Sequence, residues 1–358
     1  MLISNVIKYI ALDVHKEAIT VAVRDGAGKL IMESILETKA ITLLDFLKGQ
    51  RGELHVTFEE GTWAAWLYDV LKPHVKEVLV CNPRRNALLK EGSKSDRIDP
   101  KKLTELYRAG LLLPVYHGEN GLRALRELAR SYEVLSKDTQ RVMNRLKAVY
   151  RSWGIPCKGT QVYVRRYRQQ WLEKIHEAGV RRRAELFYHQ LDVLQGLRHT
   201  VRGELLVESR KHRAVKILRE IPFIGPLRAA QLLALMQTPH RFRSKRQLWS
   251  YCGLAVVTRD SAQYRYVNGQ LERSKKPQQV RGLNQNHNHS MKEIFKSIAL
   301  IAGLRPGPFQ DFYAGLIAKG MEPALARVTL ARKIAAITLT VWKKGERFDA
   351  EKVKPQAA

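Results

Sequence analysis

The chain has 358 residues, of which 63 are Lys or Arg and 34 are Asp or Glu, so its formal net charge is +29. Hydrophobic residues make up 45% of the chain, which is enough for buried cores and argues against intrinsic disorder. No apolar run reaches the roughly 18–20 residues of a membrane-spanning helix, and the first residues do not resemble a signal peptide. The length predicts two or three domains, and three widely spaced cysteines predict reduced thiols in a cytoplasmic protein.

The positive charge is unevenly distributed along the chain. Residues 1–117 carry 17 basic and 15 acidic residues, whereas residues 118–220 have a net charge of +12 and residues 221–358 a net charge of +15. Such an excess attracts polyanions through phosphate neutralisation and counterion release. The charge therefore favours a nucleic-acid partner, a property shared with ribosomal proteins and basic scaffolds, and identifies no activity.

The first 117 residues alternate between strand-like and helical patterns. The strands are predicted at 7–13, 18–24, 29–35, 53–58 and 75–81, and the helices at 40–49, at 63–72 and in a segment ending near Gly110. Three meandering strands followed by alternating helices and strands predict an α/β domain with a ribonuclease-H-like order.

The middle of the chain, residues 118–220, reads as two long basic helices. Apolar residues recur at spacings of three and four over 118–153, Gly154-Ile155-Pro156 interrupts them, and a second helical pattern covers roughly 171–219. Two such helices predict an antiparallel coiled coil. A plain helical bundle is the alternative.

Residues 221–348 predict a mainly helical domain, followed by a tail over 349–358. The segment 218–235, LREIPFIGPLRAAQLLAL, looks like a helix–hairpin–helix, although Phe223 stands where such hairpins usually carry glycine. An ordinary corner between two helices is equally compatible with it. Residues 241–281 hold 10 basic and 2 acidic residues with aromatic residues between them, and 323–343 predicts a strong amphipathic helix.

Several carboxylates stand at positions that suit a metal site. Asp13 interrupts an apolar strand, Glu59 and Glu60 end the fourth strand, and Asp96 and Asp99 share one helical face. Mg²⁺ prefers oxygen ligands of this kind and completes its shell with water and substrate phosphate. Each acid alone has a structural explanation, since Asp96 and Asp99 could cap a helix that begins near Pro100. The ordered set favours a magnesium site.

Four strings of the chain carry a resemblance to a known family: IALDVHKEAITVAV, FEEGTWAAWL, KSDRIDPKKLTELYRAGLL, and IPFIGPLRAAQLL with FRSKRQLWSYCGLAVVTRDSA. With them nearly the whole chain resembles the DEDD-type insertion-sequence transposases of the IS110 family. The resemblance implies a RuvC-like N-terminal domain that binds Mg²⁺, a coiled coil, and a C-terminal transposase domain that supplies a serine nucleophile. By motif, Asp13 is the first acid, and Asp96 and Asp99 are the third and fourth. Glu59 is preferred to Glu60 as the second, because it lies seven residues before Trp66.

The resemblance implies that Ser261 is the nucleophile. It is the only serine in the window that follows Gly253-Leu254-Ala255-Val256. Val256 replaces the proline that the family carries there, and Ala262 replaces the usual glycine after the serine. Without the resemblance, a lone serine in a polar loop would be an ordinary surface residue.

The basic and polar residues around these motifs are predicted to contact nucleic acid. His287 and His289 lack a third soft ligand nearby, so a zinc site is not favoured, and polar contacts to nucleic acid or a loop without a ligand remain. The predicted contact residues are Lys94, Arg97, Arg243, Lys245, Arg246, Arg259, Lys275, Lys276, Arg281, Asn284, Asn286 and Asn288.

The family resemblance implies a bacterial or archaeal cytoplasmic protein, associated with the nucleoid when it acts. A structured non-coding bridge RNA would pair with target and donor DNA, and a homotetramer with composite active sites would cut and rejoin strands through a phosphoserine. The first alternative is a Holliday-junction-type, RuvC-like nuclease that uses water as its nucleophile. The second is a non-catalytic RNA-binding scaffold. No membrane partner is expected.

Overall fold

The computed structural model describes residues 6–83, 98–118, 121–258, 264–267, 270–273 and 280–353. The chain divides into two compact units, Met1–Glu119 and Asn120–Ala358. The predicted domain bounds at residues 117, 220 and 348 stay predictions.

The N-terminal unit is a mixed α/β fold. Its elements are β1 (Ile7–Val14), β2 (Ala18–Asp25), β3 (Leu30–Glu37), α1 (Ala40–Lys48), β4 (Glu53–Glu59), α2 (Ala64–Leu71), β5 (Glu77–Cys81) and α3 (Ile98–Arg108). The strands form one sheet in the order β3-β2-β1-β4-β5, in which β1, β2 and β3 are antiparallel, while β4 is parallel to both β1 and β5. The five-stranded mixed sheet agrees with the α/β prediction and is consistent with a ribonuclease-H-like domain.

Helices cover both faces of this sheet. Alternation along β1 sends Ile10 and Leu12 into a core with α1 and α2, and sends Ala11 into a second core with Leu103 and Tyr107 of α3. A strand buried on both sides reads as a nearly continuous apolar run, which explains the composition of β1. Asp13 is the carboxylate that ends this run.

The second unit is mainly helical. Its helices are α4 (Arg123–Ser152), α5 (Arg168–Leu172), α6 (Ala178–Arg210), α7 (Arg213–Arg219), α8 (Pro226–Met236), α9 (Lys245–Tyr251), α10 (His289–Ala302), α11 (Pro308–Ala318) and α12 (Pro323–Lys344). Short strands form two antiparallel pairs, β6 (Val256–Thr258) with β9 (Val280–Leu283) and β7 (Tyr264–Val267) with β8 (Gln270–Arg273). One hydrophobic core contains residues from every helix from α7 through α12. Val353, which lies in the predicted tail, is also buried in it.

The two long helices, α4 and α6, pack against each other in opposite directions. The Tyr150 and Tyr188 hydroxyls lie 3.0 Å apart at one end, and Leu125 and Leu205 share the large core at the other. The two helices confirm the predicted helical middle segment. Their supercoiling as a coiled coil stays a prediction.

The α7–α8 connection is a tight corner built around an unusual residue. Phe223 has a φ of +68°, a conformation that glycine adopts without strain and that costs other residues about 1–2 kcal/mol. The Phe223 carbonyl accepts a hydrogen bond from Arg228 Nη1 at 2.9 Å, and its ring packs on the core. The backbone thus makes the turn that the motif predicts in spite of the substituted glycine, while a phosphate-gripping helix–hairpin–helix stays a prediction.

Two further predictions can be compared with the described residues. None of the three cysteines forms a disulfide, and all three are buried. None of the described helices is long and apolar enough to cross a membrane.

Candidate functional site

Asp13 and Glu59 lie at the carboxyl ends of two adjacent parallel strands. Leu12 of β1 stands opposite Phe58 of β4, and Asp13 and Glu59 are the next residues of each strand. Both leave the sheet on the face of Ala11 and Thr57, because side chains alternate along a strand. The pairing therefore brings two predicted acids to one edge and one face of the sheet.

Asp99 approaches the same place from α3. Tyr107, near the far end of α3, packs edge-on against Tyr9 with ring centroids 5.4 Å apart. From Tyr107 back to Asp99 the helix rises about 12 Å, and from Tyr9 forward to Asp13 the strand rises about 13 Å. Because α3 runs opposite to β1, these two paths lead to the same end of the sheet.

A second anchor gives the same position for Asp99. Lys101 Nζ lies 2.8 Å from Glu33 Oε1, and Glu33 stands opposite Ala22, which in turn stands opposite Ala11. Lys101 is therefore close to the part of the sheet that contains Ala11. Two residues further along each element are Asp99 and Asp13.

Asp99 has an oxygen that the protein leaves unsatisfied. Its Oδ1 is buried and has no hydrogen-bond partner among the described residues. A buried carboxylate oxygen without a donor is costly, and a bound cation removes that cost. A carboxylate oxygen is the type of ligand that a hard divalent cation such as Mg²⁺ prefers.

Glu60 is engaged on the opposite face of the sheet. Its Oε2 lies 2.7 Å from His117 Nε2, and the His117 ring stacks on Tyr68 of α2 with centroids 5.1 Å apart. Tyr68 packs against the core of Ile10 and Leu12. Glu59 therefore points to the Asp13 face, and Glu60, which follows the end of β4, points to the other face.

His15 is a neighbour of this cluster that the sequence analysis did not single out. Its Nε2 lies 3.3 Å from Asp13 Oδ2, and both side chains are partly exposed. The available signal was the spacing of two residues in DVH, which places both side chains on one face of a strand.

Part of the predicted site lies outside the described residues. These are Asp96 with Lys94 and Arg97 in the first unit, and Ser261 with Arg259, Lys275 and Lys276 in the second. The side chain of Arg281 is also outside them. Within the described part of the chain, no three His, Cys, Asp or Glu side chains form a group that could hold a metal ion.

The segment that leads towards Ser261 is well packed. Gly253 has a φ of +63°, and a side chain there would meet the His287 ring, since a Cβ would lie 2.4 Å from its Cγ. Leu254 is buried, and β6 begins two residues later and ends at Thr258. The His287 and His289 rings are 4.5 Å apart, and burial lowers the pKa of His287.

The predicted nucleic-acid contacts of the second unit fall into two groups. Arg243, Lys245 and Arg246 are exposed at the start of α9. By contrast, Asn284 Nδ2 donates to the Ser250 carbonyl at 2.9 Å, and Asn288 caps α10 by accepting from Met291 N at 3.0 Å. These two amides therefore have structural partners, whereas Asn286 is exposed.

Two family models match the chain. A transposase model of the DEDD IS110 type matches residues 10–153, which include Asp13, Glu59, Asp96 and Asp99. A model described as "Transposase IS116/IS110/IS902 family" matches residues 215–284, which include Ser261. The two matches together cover more than half of the chain.

Two relatives of known name are similar to parts of the chain. One is an uncharacterized 44.8 kDa protein of insertion element IS116 from Streptomyces clavuligerus, 27% identical over 130 residues that make up 36% of this chain and 29% of that protein. The other is the transposase for insertion sequence element IS1533 from Leptospira borgpetersenii, 27% identical over 178 residues, or 47% of this chain and 50% of that protein. The chain thus spans half or less of the length of these relatives. Because both models describe transposases of the IS110 type, the chain belongs to the IS110 family of insertion-sequence transposases.

Proposed function

We propose that this protein cuts and rejoins DNA strands to move an insertion sequence. One observation supports the proposal most: Asp13 and Glu59 stand at the ends of adjacent parallel strands on the face covered by α3, and α3 carries a buried Asp99 oxygen that has no hydrogen-bond partner among the described residues. If Asp99 had a purely structural role, a donor would instead be expected at its buried oxygen.

The metal site of the proposal consists of Asp13, Glu59, Asp96 and Asp99. Mg²⁺ bound there would polarise the scissile phosphate and offset its developing negative charge. The sheet and α3 hold the described acids on rigid elements, which limits the reorganisation needed when a substrate binds. His15, beside Asp13, would orient that carboxylate.

Ser261 is the proposed nucleophile. Its Oγ would bond to the scissile phosphorus after losing its proton, while the bond from phosphorus to one strand end breaks and that oxygen leaves as a hydroxyl by taking up a proton. Attack by the hydroxyl of a new strand end on the phosphoserine would restore the serine and join the strands. The bond energy is conserved in the covalent link, so the sequence of steps consumes no nucleotide cofactor.

The partners of the proposal are target DNA, donor DNA and a structured bridge RNA, with four copies of the chain sharing composite sites. Base pairing with the RNA would select the DNA, so the protein would read mainly backbone and shape. The excess of positive charge after residue 117 supports this division of labour.

The test is to trap the covalent intermediate. The full-length protein is incubated in Mg²⁺ with DNA carrying the ends of its element and with RNA transcribed from the non-coding part of that element. The adduct is then digested and mapped by peptide mass spectrometry. We expect a phosphodiester-linked nucleotide on the peptide that contains Ser261.

The matched variants are Ser261→Ala and Ser274→Ala, which remove one hydroxyl each from the same stretch of sequence. Only Ser261→Ala should abolish the adduct and strand rejoining. An adduct on another residue would overturn the assignment of the nucleophile. Strand cleavage that persists without any adduct would replace the proposal by hydrolysis, as in a junction-resolving nuclease.

A further inference from the structure

A cavity of about 460 Å³ lies among α9, α11 and α12 of the second unit. Its volume is within the range of small-ligand sites. The charged and aromatic residues that line it are Lys245, Arg332, Lys333, Lys352, Trp249 and Phe312. No acidic residue is among its described lining residues, so the cavity combines positive charge with aromatic surface.

Arg332 is the most informative of these residues. Its Nε donates to the Leu254 carbonyl at 2.5 Å, and its own carbonyl accepts from Trp249 Nε1 at 2.9 Å. Its Nη2 is buried and has no hydrogen-bond partner among the described residues. A guanidinium with an unsatisfied buried donor is costly, and an anion in the cavity would satisfy it.

Two lysines accompany Arg332. Lys333 Nζ lies 5.6 Å from the centroid of the Phe312 ring, and Lys245 Nζ lies 5.7 Å from that of Trp249. Burial and the nearby positive charge of Lys245 lower the pKa of Lys333. Lys352 is already paired with Glu346 at 3.0 Å, so the unneutralised charge is that of the other three cations.

Cations at this density point to a phosphate, and the aromatic wall points to a planar ring beside it. We propose that the cavity binds one unpaired nucleotide of a nucleic-acid strand, its phosphate at Arg332, Lys333 and Lys245 and its base against Trp249 and Phe312. A base inside a duplex is stacked on both faces and is not available for such contacts. This inference rests on the proposed function, which supplies the nucleic-acid substrate. It adds that one unpaired nucleotide of that substrate binds in the second unit.

Mononucleotides are suitable probes of the cavity, because a long polyanion would also bind nonspecifically to so basic a protein. Titration calorimetry of the full-length protein, at about 300 mM NaCl to screen surface charge, would compare dAMP, AMP, adenosine and inorganic phosphate. We expect one site per chain, with dAMP or AMP binding at least about tenfold more tightly than adenosine or phosphate. A stronger response to dAMP or to AMP identifies the strand as DNA or RNA, and equal responses mean that the sugar is not read.

The matched variants change one charge each on α12. Arg332→Gln should weaken nucleotide binding about tenfold or more, whereas Arg327→Gln, at an exposed position on the same helix outside the cavity, should change it less than about twofold. Lys333→Gln provides a second test that leaves the Arg332–Leu254 hydrogen bond in place, and it should also weaken binding.

Two results would overturn the inference. One is binding of dAMP and AMP no tighter than that of phosphate, and the other is an equal loss in Arg332→Gln and Arg327→Gln. If nucleotide binding fails while the Ser261 adduct still forms, the cavity is excluded and the proposed function stands. If nucleotides bind at the cavity and no adduct forms anywhere, the strand-transfer mechanism fails and the cavity stands.

Discussion

Glu59 and Glu60 are adjacent in sequence, yet they point to opposite faces of the sheet, Glu59 as the last residue of β4 and Glu60 directly after it. Glu59 shares the face of Asp13 and the N-terminal end of α3, and Glu60 is bound to His117 on the other face. A shift of one position along the chain, from residue 59 to residue 60, thus decides whether a carboxylate lies on the face of the candidate metal site. The choice of Glu59 from a motif spacing thus gains an independent physical argument.

Conservative substitutions of the two glutamates separate their roles. Glu59→Gln should lower Mg²⁺-dependent strand cleavage about a hundredfold or more, because it removes a charged metal ligand. Glu60→Gln should keep cleavage close to the wild-type rate and lower the melting temperature, because it weakens the contact with His117. Cleavage rates and thermal unfolding measured on both variants would check this. The reverse pattern would make Glu60 the metal ligand.

Gly253 is the residue at which the approach to Ser261 tolerates no side chain. Gly253→Ala should destabilise the second unit by more than the roughly 1–2 kcal/mol of its left-handed backbone, because the new Cβ also collides with His287. Gly154→Ala is the matched control, since Gly154 has a φ of +70° and open space around it. Urea unfolding should show the larger loss for Gly253→Ala, and equal losses would contradict the proposed collision.

At the scale of elements, α5 is attached to α6 by an ion pair. Arg168 donates two hydrogen bonds to Asp192, at 2.8 and 2.7 Å, and both side chains are largely shielded from solvent. The hydrogen bond from Arg168 contributes most to lowering the pKa of Asp192 below its usual value. A carboxylate with a lowered pKa stabilises the fold above the pKa of the unfolded chain and loses that contribution as the pH falls through the folded value.

Asp192→Asn should therefore be less stable than the wild type at neutral pH and lose that disadvantage in acid. The gap between the two melting temperatures should narrow as the pH falls from about 4 towards the lowered pKa of Asp192. Thermal unfolding across this range measures it. A gap that stays constant down to pH 2 would mean that the ion pair does not contribute to stability.

Elements with strong periodicity were predictable, and their breaks were not. All five strands of the N-terminal sheet lie where alternation and apolar runs predict them. The long helical pattern over 171–219 instead contains a break before Ala178 and another at residues 211–212, where no glycine or proline stands. Gly196 and Gly203, which favour breaks, lie inside α6. Ile175 and Val215, next to these breaks, are buried in two different cores, and a single sequence does not reveal such packing.

The candidate site was predictable in part for the same reason. Asp13 and Glu59 follow from strand ends, because parallel neighbours bring their carboxyl ends to one edge. Asp99 Oδ1 and Arg332 Nη2 are buried without a hydrogen-bond partner among the described residues. This burial depends on how α3 and α12 pack, so residue types alone do not reveal it. Phe223 shows the reverse case, in which an expected glycine is missing and the backbone turns nevertheless.

At the scale of the whole molecule, charge separates the two units. The first 117 residues are nearly neutral and contain the four acids of the proposed metal site. The rest of the chain carries almost all of the net charge of +29. The proposed metal site thus lies in the part of the chain with the smaller net positive charge. Most of the affinity for a DNA backbone should therefore come from the second unit.

Binding to an unrelated DNA duplex should be strongly salt-dependent. Each neutralised phosphate contributes about −0.9 to the slope of log K against log salt concentration, so a slope steeper than about −4 is expected for full-length protein. Fluorescence anisotropy from 50 to 300 mM NaCl measures it. A slope near zero would show that the positive charge serves another purpose, such as packing against acidic surfaces.

The opposed directions of α3 and β1 restrict where this domain can change length. Each residue added to a helix turns every residue beyond it by about 100° and shifts it by about 1.5 Å. One insertion between Asp99 and Tyr107 would keep the aromatic anchor and rotate the carboxylate out of phase with Asp13. The same insertion in the turn between α2 and β5 would leave Asp13, Glu59 and Asp99 in place. We therefore expect insertions and deletions to be tolerated in the connecting segments and not in α3.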